Sequence, residues 1–202
     1  MWALVESNSI SKIYTRPTAL QLGDIQYPQN IFSLWTEAEL KAIGIYEITV
    51  DNTNLKDKEY YQNTDVTYTY NSSPDTVTGA YGTATALSLT DVLYTATDES
   101  NGLGTEGEIR TRGLKNLKKE TINGRANALL QKYDWYTLRA ASGGTAIPSS
   151  VSTYQAAVRT KANSMCTQID NAADVDALAA LYVYNDATPP VRPLGEFPDE
   201  PS

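Results

Sequence analysis

Residues 114–159 read LKNLKKETINGRANALLQKYDWYTLRAASGGTAIPSSVSTYQAAVR, and this stretch decides the fold class. Leu114, Leu117, Ile122, Ala126, Leu129, Leu130 and Tyr133 recur at roughly helical spacing, with Gly124 a tolerated weak point. Asp134 is placed to N-cap a short helix from Trp135 to Ala141, and Ser142-Gly143-Gly144 stops it. Pro148-Ser149-Ser150 opens the next helix. In it Val151, Tyr154, Val158, Ala162, Met165 and Ile169 alternate three and four apart, which draws one apolar stripe. Asp174 is a cap for a last helix, Val175 to Tyr184.

Working outward toward the N-terminus, the periodicity changes from helical to strand-like. Trp2-Ala3-Leu4-Val5 and Ile10 to Tyr14 flank the polar turn Ser7-Asn8-Ser9 and read as a β-hairpin, which Arg16-Pro17 ends. Thr36 and Glu39 form a capping box for a helix over 36–43. Trp35 and Leu40 are spaced for a hydrophobic staple, and Gly44 falls where a left-handed residue closes the helix. Ile45 to Val50 follows as a strand. Asp65 to Tyr70 is β-branched and aromatic, Asn71 to Asp75 is a turn cluster, and Thr76 to Tyr81 returns as the partner strand.

Between the two halves, Thr97 to Gly107 is polar and glycine-rich and reads as a link. Thr188 to Ser202 carries five prolines and three acids and reads as an extended tail that packs only if something covers it. The expected organisation is α+β: a β-rich domain over 1–96 with one short helix, a linker over 97–108, a helical module over 109–186 and an extended tail over 187–202. No internal repeat is visible.

Composition narrows the chemistry. The 202-residue chain holds no histidine, which removes the usual general base near neutral pH, the commonest metal ligand, and Ser-His or Cys-His nucleophile pairs. Its single cysteine, Cys166, forms no internal disulfide and is expected as an inert, buried thiol. A net charge of −8 argues against nucleic acid or an anionic membrane as a partner. The N-terminus lacks the pattern of a secretory signal, and Ala177 to Tyr184 is too short to span a bilayer. Gly102-Leu103-Gly104-Thr105-Glu106-Gly107 lacks the Gly-Lys-Ser/Thr of a phosphate loop. The expectation is a non-enzymatic protein with no cofactor and no metal.

Three features are candidates for partner contact. Lys115, Lys118, Lys119 and Arg125, with Arg110, Arg112, Lys132 and Arg139, give the helical half eight of the sixteen cations, against Glu120 and Asp134 alone between them. This reads as the solvated face of an amphipathic helix, or as a docking face for an acidic partner, either a neighbouring subunit or the chain's own Glu196, Asp199 and Glu200. Trp135, Tyr133 and Tyr136 read as filling the seam between helices, with Asp134 as a cap and Arg139 pairing with it, or as an exposed aromatic anchor. Tyr68, Tyr70 and Tyr81, three of fourteen tyrosines, lie on expected strands at alternating positions and read as sheet filling or as an interface, including one for sugar rings.

The pattern Leu129-Leu130, Asp134-Trp135-Tyr136, Arg139, Gly144-Thr145-Ala146-Ile147-Pro148 and Tyr154-Gln155-Ala156-Ala157-Val158-Arg159 resembles the C-terminal module of tail-assembly and tail-fibre-assembly, chaperone-like proteins of tailed bacteriophages. Trp2-Ala3-Leu4-Val5, Ile13-Tyr14 and the stretch from Ile31-Phe32 to Gly44-Ile45 look like the β-rich N-terminal part of proteins of marine tailed phages. The resemblance implies a virion tail, baseplate or fibre-attachment component acting through protein–protein contacts. Its implied partners are other phage tail or fibre proteins, in a homo-oligomer or multi-copy assembly, located in the virion tail and in the host cytoplasm during assembly. Two alternatives stand beside it: a transient fibre chaperone absent from the mature virion, and a receptor-side carbohydrate-binding module. Family members called chaperones carry an N-terminal region that differs between phages. Here that region is compact and tyrosine-rich, which favours a resident part.

Overall fold

A computed structural model describes residues 1–201, and the chain is α+β. Two compact units are resolved by their internal contacts, Met1–Thr85 and a second from Ala86 onward.

In the first unit, β1 (Trp2–Glu6) and β2 (Ser9–Tyr14) form the expected hairpin. Ser7 and Asn8 both take positive φ, 51° and 61°, the backbone that a tight two-residue hairpin turn requires. A second small hairpin, β3 (Leu20–Leu22) with β4 (Ile25–Tyr27), leads into the helical turn α1 (Ile31–Leu34). These short elements fall in a stretch that carries no strong sequence signal. Helix α2 (Glu37–Ala42) has the capping box in full: the Glu39 amide donates to Thr36 Oγ1 at 3.3 Å, and the Thr36 amide donates to Glu39 Oε2 at 2.8 Å. The Glu39 carboxyl is accordingly held below its ordinary value, first by the Thr36 amide. Gly44 closes the helix at φ +80°.

Strand β5 (Ile45–Asp51) follows. After the two-residue strand β6 (Tyr61–Gln62), β7 (Val66–Ser72) and β8 (Asp75–Tyr81) form a hairpin about a Ser73-Pro74 turn. The sheet order is β2-β1-β5-β8-β7, antiparallel except for the parallel β5–β8 pair, with Ala3 opposite Tyr46 and Ile48 opposite Val77. The period-two alternation sends successive side chains to opposite faces. One face packs Leu4, Tyr14 and Ile45 under Ile31, Phe32 and Leu40. The other gathers Ala3, Tyr46, Ile48 and Val77, with Tyr68 and Tyr70 packed against them. Edge strands β2 and β7 touch, so the sheet curls around this second cluster.

The second unit corrects the expected linker over 97–108 and the expected domain end at residue 96. The short strand β9 (Thr85–Ala86) marks the unit boundary. Beyond it, β10 (Val92–Leu93) pairs with β11 (Ile109–Thr111), and α3 (Ala96–Ser100) between them has its own capping box from Thr95 and Asp98. Gly102 and Gly107 are turn residues at positive φ, 72° and 83°, not flexible spacers. The Leu114 and Lys115 amides donate to Ser88 and Leu89 carbonyls, and the Gly113 amide to Asp91 Oδ1 at 2.7 Å, so this segment caps the next helix. A Cβ at Gly113 would lie 2.2 Å from the Thr90 carbonyl carbon, so only glycine fits that approach.

Helices α4 (Leu114–Gln131) and α6 (Ser149–Asn171) form the body of the unit, with α5 (Asp134–Ala141) between them in sequence and α7 (Val175–Ala180) after. Every member of the α6 stripe is buried, Val158, Met165 and Ile169 completely. On α4 only Leu114, Ile122 and Ala126 are buried, while Leu117 is exposed. Asp174 caps α7 as expected by accepting from the Ala177 amide, but the helix ends at Ala180 and not at Tyr184. The following Leu181 carbonyl turns aside to accept from the Leu194 amide. The extended tail is covered by its own unit: residues 187–201 have no regular structure, yet Leu194 is fully buried.

Candidate interaction surface

The cations of α4 are engaged within the second unit. Lys115 Nζ donates to the Asp170 carbonyl and Lys119 Nζ to Asp170 Oδ1, both at 2.8 Å. They meet the last turn of α6, where carbonyls lack helical partners and the helix dipole is negative. Lys118 lies 4.5 Å from the Tyr182 ring centroid. Arg125 faces Glu196 at 3.8 Å and lies over Phe197, and Lys132 pairs with Glu200. Of the two readings of the basic stripe, contact with the chain's own Glu196 and Glu200 accounts for Arg125 and Lys132. Lys115 and Lys119 fasten α6.

These contacts shift the tail's carboxyls. Burial pushes Glu196 up, but the Tyr184 hydroxyl with Arg192 and Arg125 more than offsets it, so its pKa lies below the ordinary value. The Lys132 ammonium, bonded to Glu200, holds that carboxyl low, and the same bond raises Lys132.

Helix α5 departs from the expected seam. Its N-cap is Tyr133, and Asp134 is the exposed first residue with no capping bond, so Asp134 acts only through its charge in the first turn. Trp135 is 49% exposed and Leu138 69% exposed. Arg139 does not pair with Asp134. Its guanidinium lies 4.8 Å from the Trp135 ring centroid and 5.0 Å from that of Tyr136, and those two rings are 3.8 Å apart. Only Tyr133 fills a seam, edge-on to Tyr154 at 5.3 Å. The physical reason is length: α5 spans about two turns, and a helix that short buries one narrow stripe. Arg139 has no carboxylate partner among the described residues, and its Nε is buried without a hydrogen bond. The result is a surface with an aromatic shelf, an aliphatic tip and one cation over the shelf.

Tyr68 and Tyr70 belong to the first unit and are half-buried. The Tyr70 hydroxyl donates to Asp75 Oδ1 at 2.7 Å, which raises its pKa, and the Tyr46 hydroxyl donates to the other oxygen of that carboxylate at 3.4 Å. The Tyr46 and Tyr70 rings meet edge to face at 5.4 Å. Both tyrosines work in the sheet. Cys166 is partly exposed rather than buried, and desolvation pushes its thiol up, away from the reactive thiolate.

The sequence reading missed Leu138, Asp91 and the tail residues Leu194 and Phe197. For the tail the signal is present: Arg125 and Lys132 are seven apart on one helix face, and Glu196 and Glu200 four apart in extended chain. Among the described residues no group of three or more Cys, Asp or Glu is placed to hold a metal ion, and no helix is long and apolar enough to cross a membrane. Comparison with protein-family models, with curated proteins and with solved structures returns no match.

Proposed function

We propose that this protein is a non-enzymatic component of a bacteriophage tail, at a tail, baseplate or fibre-attachment position, acting through protein–protein contacts. The observation that carries the reading is the surface of α5. Asp134, Trp135 and Arg139 carry the resemblance to tail-assembly proteins, and the helical core does not use them: Trp135 and Leu138 stand in solvent. Large apolar side chains on a surface, grouped with an arginine, are the composition of interface hot spots. The resident reading stands ahead of the transient chaperone because the β-rich unit is a packed, capped fold of its own. The sugar-binding reading loses ground because Tyr70 is already committed to Asp75 and Tyr46.

The test is a pair of variants, Trp135→Ala and Leu138→Ser. Both side chains are exposed enough that each change costs less than about 1 kcal/mol of stability. Capture of tail proteins from infected-cell lysate should fall at least tenfold for the folded double variant. Undiminished capture would remove the α5 surface from the account.

A further inference from the structure

The second unit carries both a peptide and the groove that receives it. Leu194 is fully buried, and its amide donates to the Leu181 carbonyl at 3.0 Å. Beyond it, Glu196 faces Arg125, Phe197 lies 5.5 Å from the Arg125 guanidinium, and Glu200 is bonded to Lys132. Arg125 and Lys132 are two turns apart, roughly 10 Å. Glu196 and Glu200 are separated by about 13 Å of extended chain. The spacings match closely enough to set acid against base at both stations, so the tail runs along α4. Tyr133 adds a hydroxyl bond to Glu200 at 3.4 Å.

The way this seat is joined to the rest of the chain matters as much as the seat. Residues 186–190, which include Pro189 and Pro190, are all exposed. Among the described residues, Asn185 supplies the hydrogen bonds across this connector: its side-chain oxygen accepts from the Ala187 and Val191 amides, and its own amide donates to the Val191 carbonyl. The seat itself rests on one buried aliphatic side chain, on the Leu194 amide bond, on ion pairs of Glu196 with Arg125 and Arg192 and of Glu200 with Lys132, and on the Tyr184 and Tyr133 hydroxyls that reach those carboxylates; ion pairs this exposed hold only weakly. A segment held this way makes the same contacts whichever copy of the chain supplies it, which is the condition for low-cost exchange between copies.

We propose that the tail of one copy seats in the α4 groove of a second copy, making this groove a copy-to-copy interface. Inside one chain the connector holds the tail near its groove at an effective concentration on the order of millimolar, so dilute chains close on themselves. Copies held side by side in an assembly exceed that concentration, and exchange then links them. The inference needs only several copies held together, and it stands or falls independently of the phage reading.

The Lys132–Glu200 pair provides the test, because a carbodiimide joins an ammonium and a carboxylate in direct contact. Unlabelled and ¹⁵N-labelled wild-type chains are mixed at millimolar concentration, cross-linked and digested. Exchange predicts Lys132–Glu200 peptide pairs with one light and one heavy partner, approaching half of all such pairs as exchange completes and vanishing at micromolar concentration. Pairs of one isotope only, at every concentration, would overturn the proposal. Full-length variants give a second reading. Glu196→Lys with Glu200→Lys keeps an intact groove, and Arg125→Glu with Lys132→Glu keeps an intact tail. Mixed, they should form a one-to-one complex by light scattering while each alone stays monomeric. Two folded monomers in the mixture would equally overturn it.

Discussion

Leu194 lies in a segment without helix or strand and is nevertheless completely buried, so its side chain holds the tail as a core residue would. Leu194→Ala removes that anchor and leaves a cavity; a cost of about 2–5 kcal/mol is expected, read as a lowered thermal midpoint of the second unit. Trp135 is the opposite case. A large aromatic that a helical seam would have buried instead stands half in solvent with Arg139 4.8 Å from its ring centroid, and the proposed function assigns it to recognition. Reading the sequence, both side chains are ambiguous for the same reason. Hydrophobicity says that a residue prefers burial, and only the packing partners say whether it gets it. Leu194 sits among prolines and acids, which disguise an anchor. Trp135 sits in a helical pattern, which disguises an exposed face.

The elements divide by whether their signal is local. Helix α2 is written in its own residues: cap, box and closing Gly44 all fall where the sequence places them. Thr36→Ala should therefore cost about 1 kcal/mol, measured by chemical denaturation of the full chain. The α6 stripe is equally legible because one long helix against one partner produces one clean period. The segment 88–111 is not legible as composition. Its glycines look like a linker until Thr95-x-x-Asp98 is recognised as a second capping box and the glycines as turn positions. The tail, as an element, is governed by charge. Glu196 and Glu200 have folded-state pKa values below the ordinary 4.5, so their contribution is fully present above 4.5 and is lost as the pH falls through their lowered values. Lys132 is raised above 10.5, so its share is present below 10.5 and is lost only as the pH rises past its raised value. Protection of the Leu194 amide against exchange, relative to its intrinsic rate at each pH, should fall on acidification below 4.5 ahead of protection at Val158 in the α6 core. Simultaneous loss at both positions would mean that the tail is not an electrostatically held element.

At the scale of the whole molecule, each unit has its own core: a curled five-stranded sheet packed on both faces, and a helical body strapped by its own acidic tail. The α+β class and the two-part character follow from the change of period along the chain. The boundary at Thr85–Ala86 does not, because it is set by the backbone bonds from Ser88 and Leu89 to the head of α4, which no local pattern announces. The proposed function rests on the surface that these cores leave over, chiefly α5. The central claim is that this chain is a resident part of a phage tail. Mass spectrometry of purified particles, quantified against the major capsid protein, tests it most directly. The account predicts this chain in the particle at a copy number that is a multiple of three or six. Its absence from particles, with the chain found only in infected-cell lysate bound to a fibre, would contradict the claim and make it a transient assembly factor.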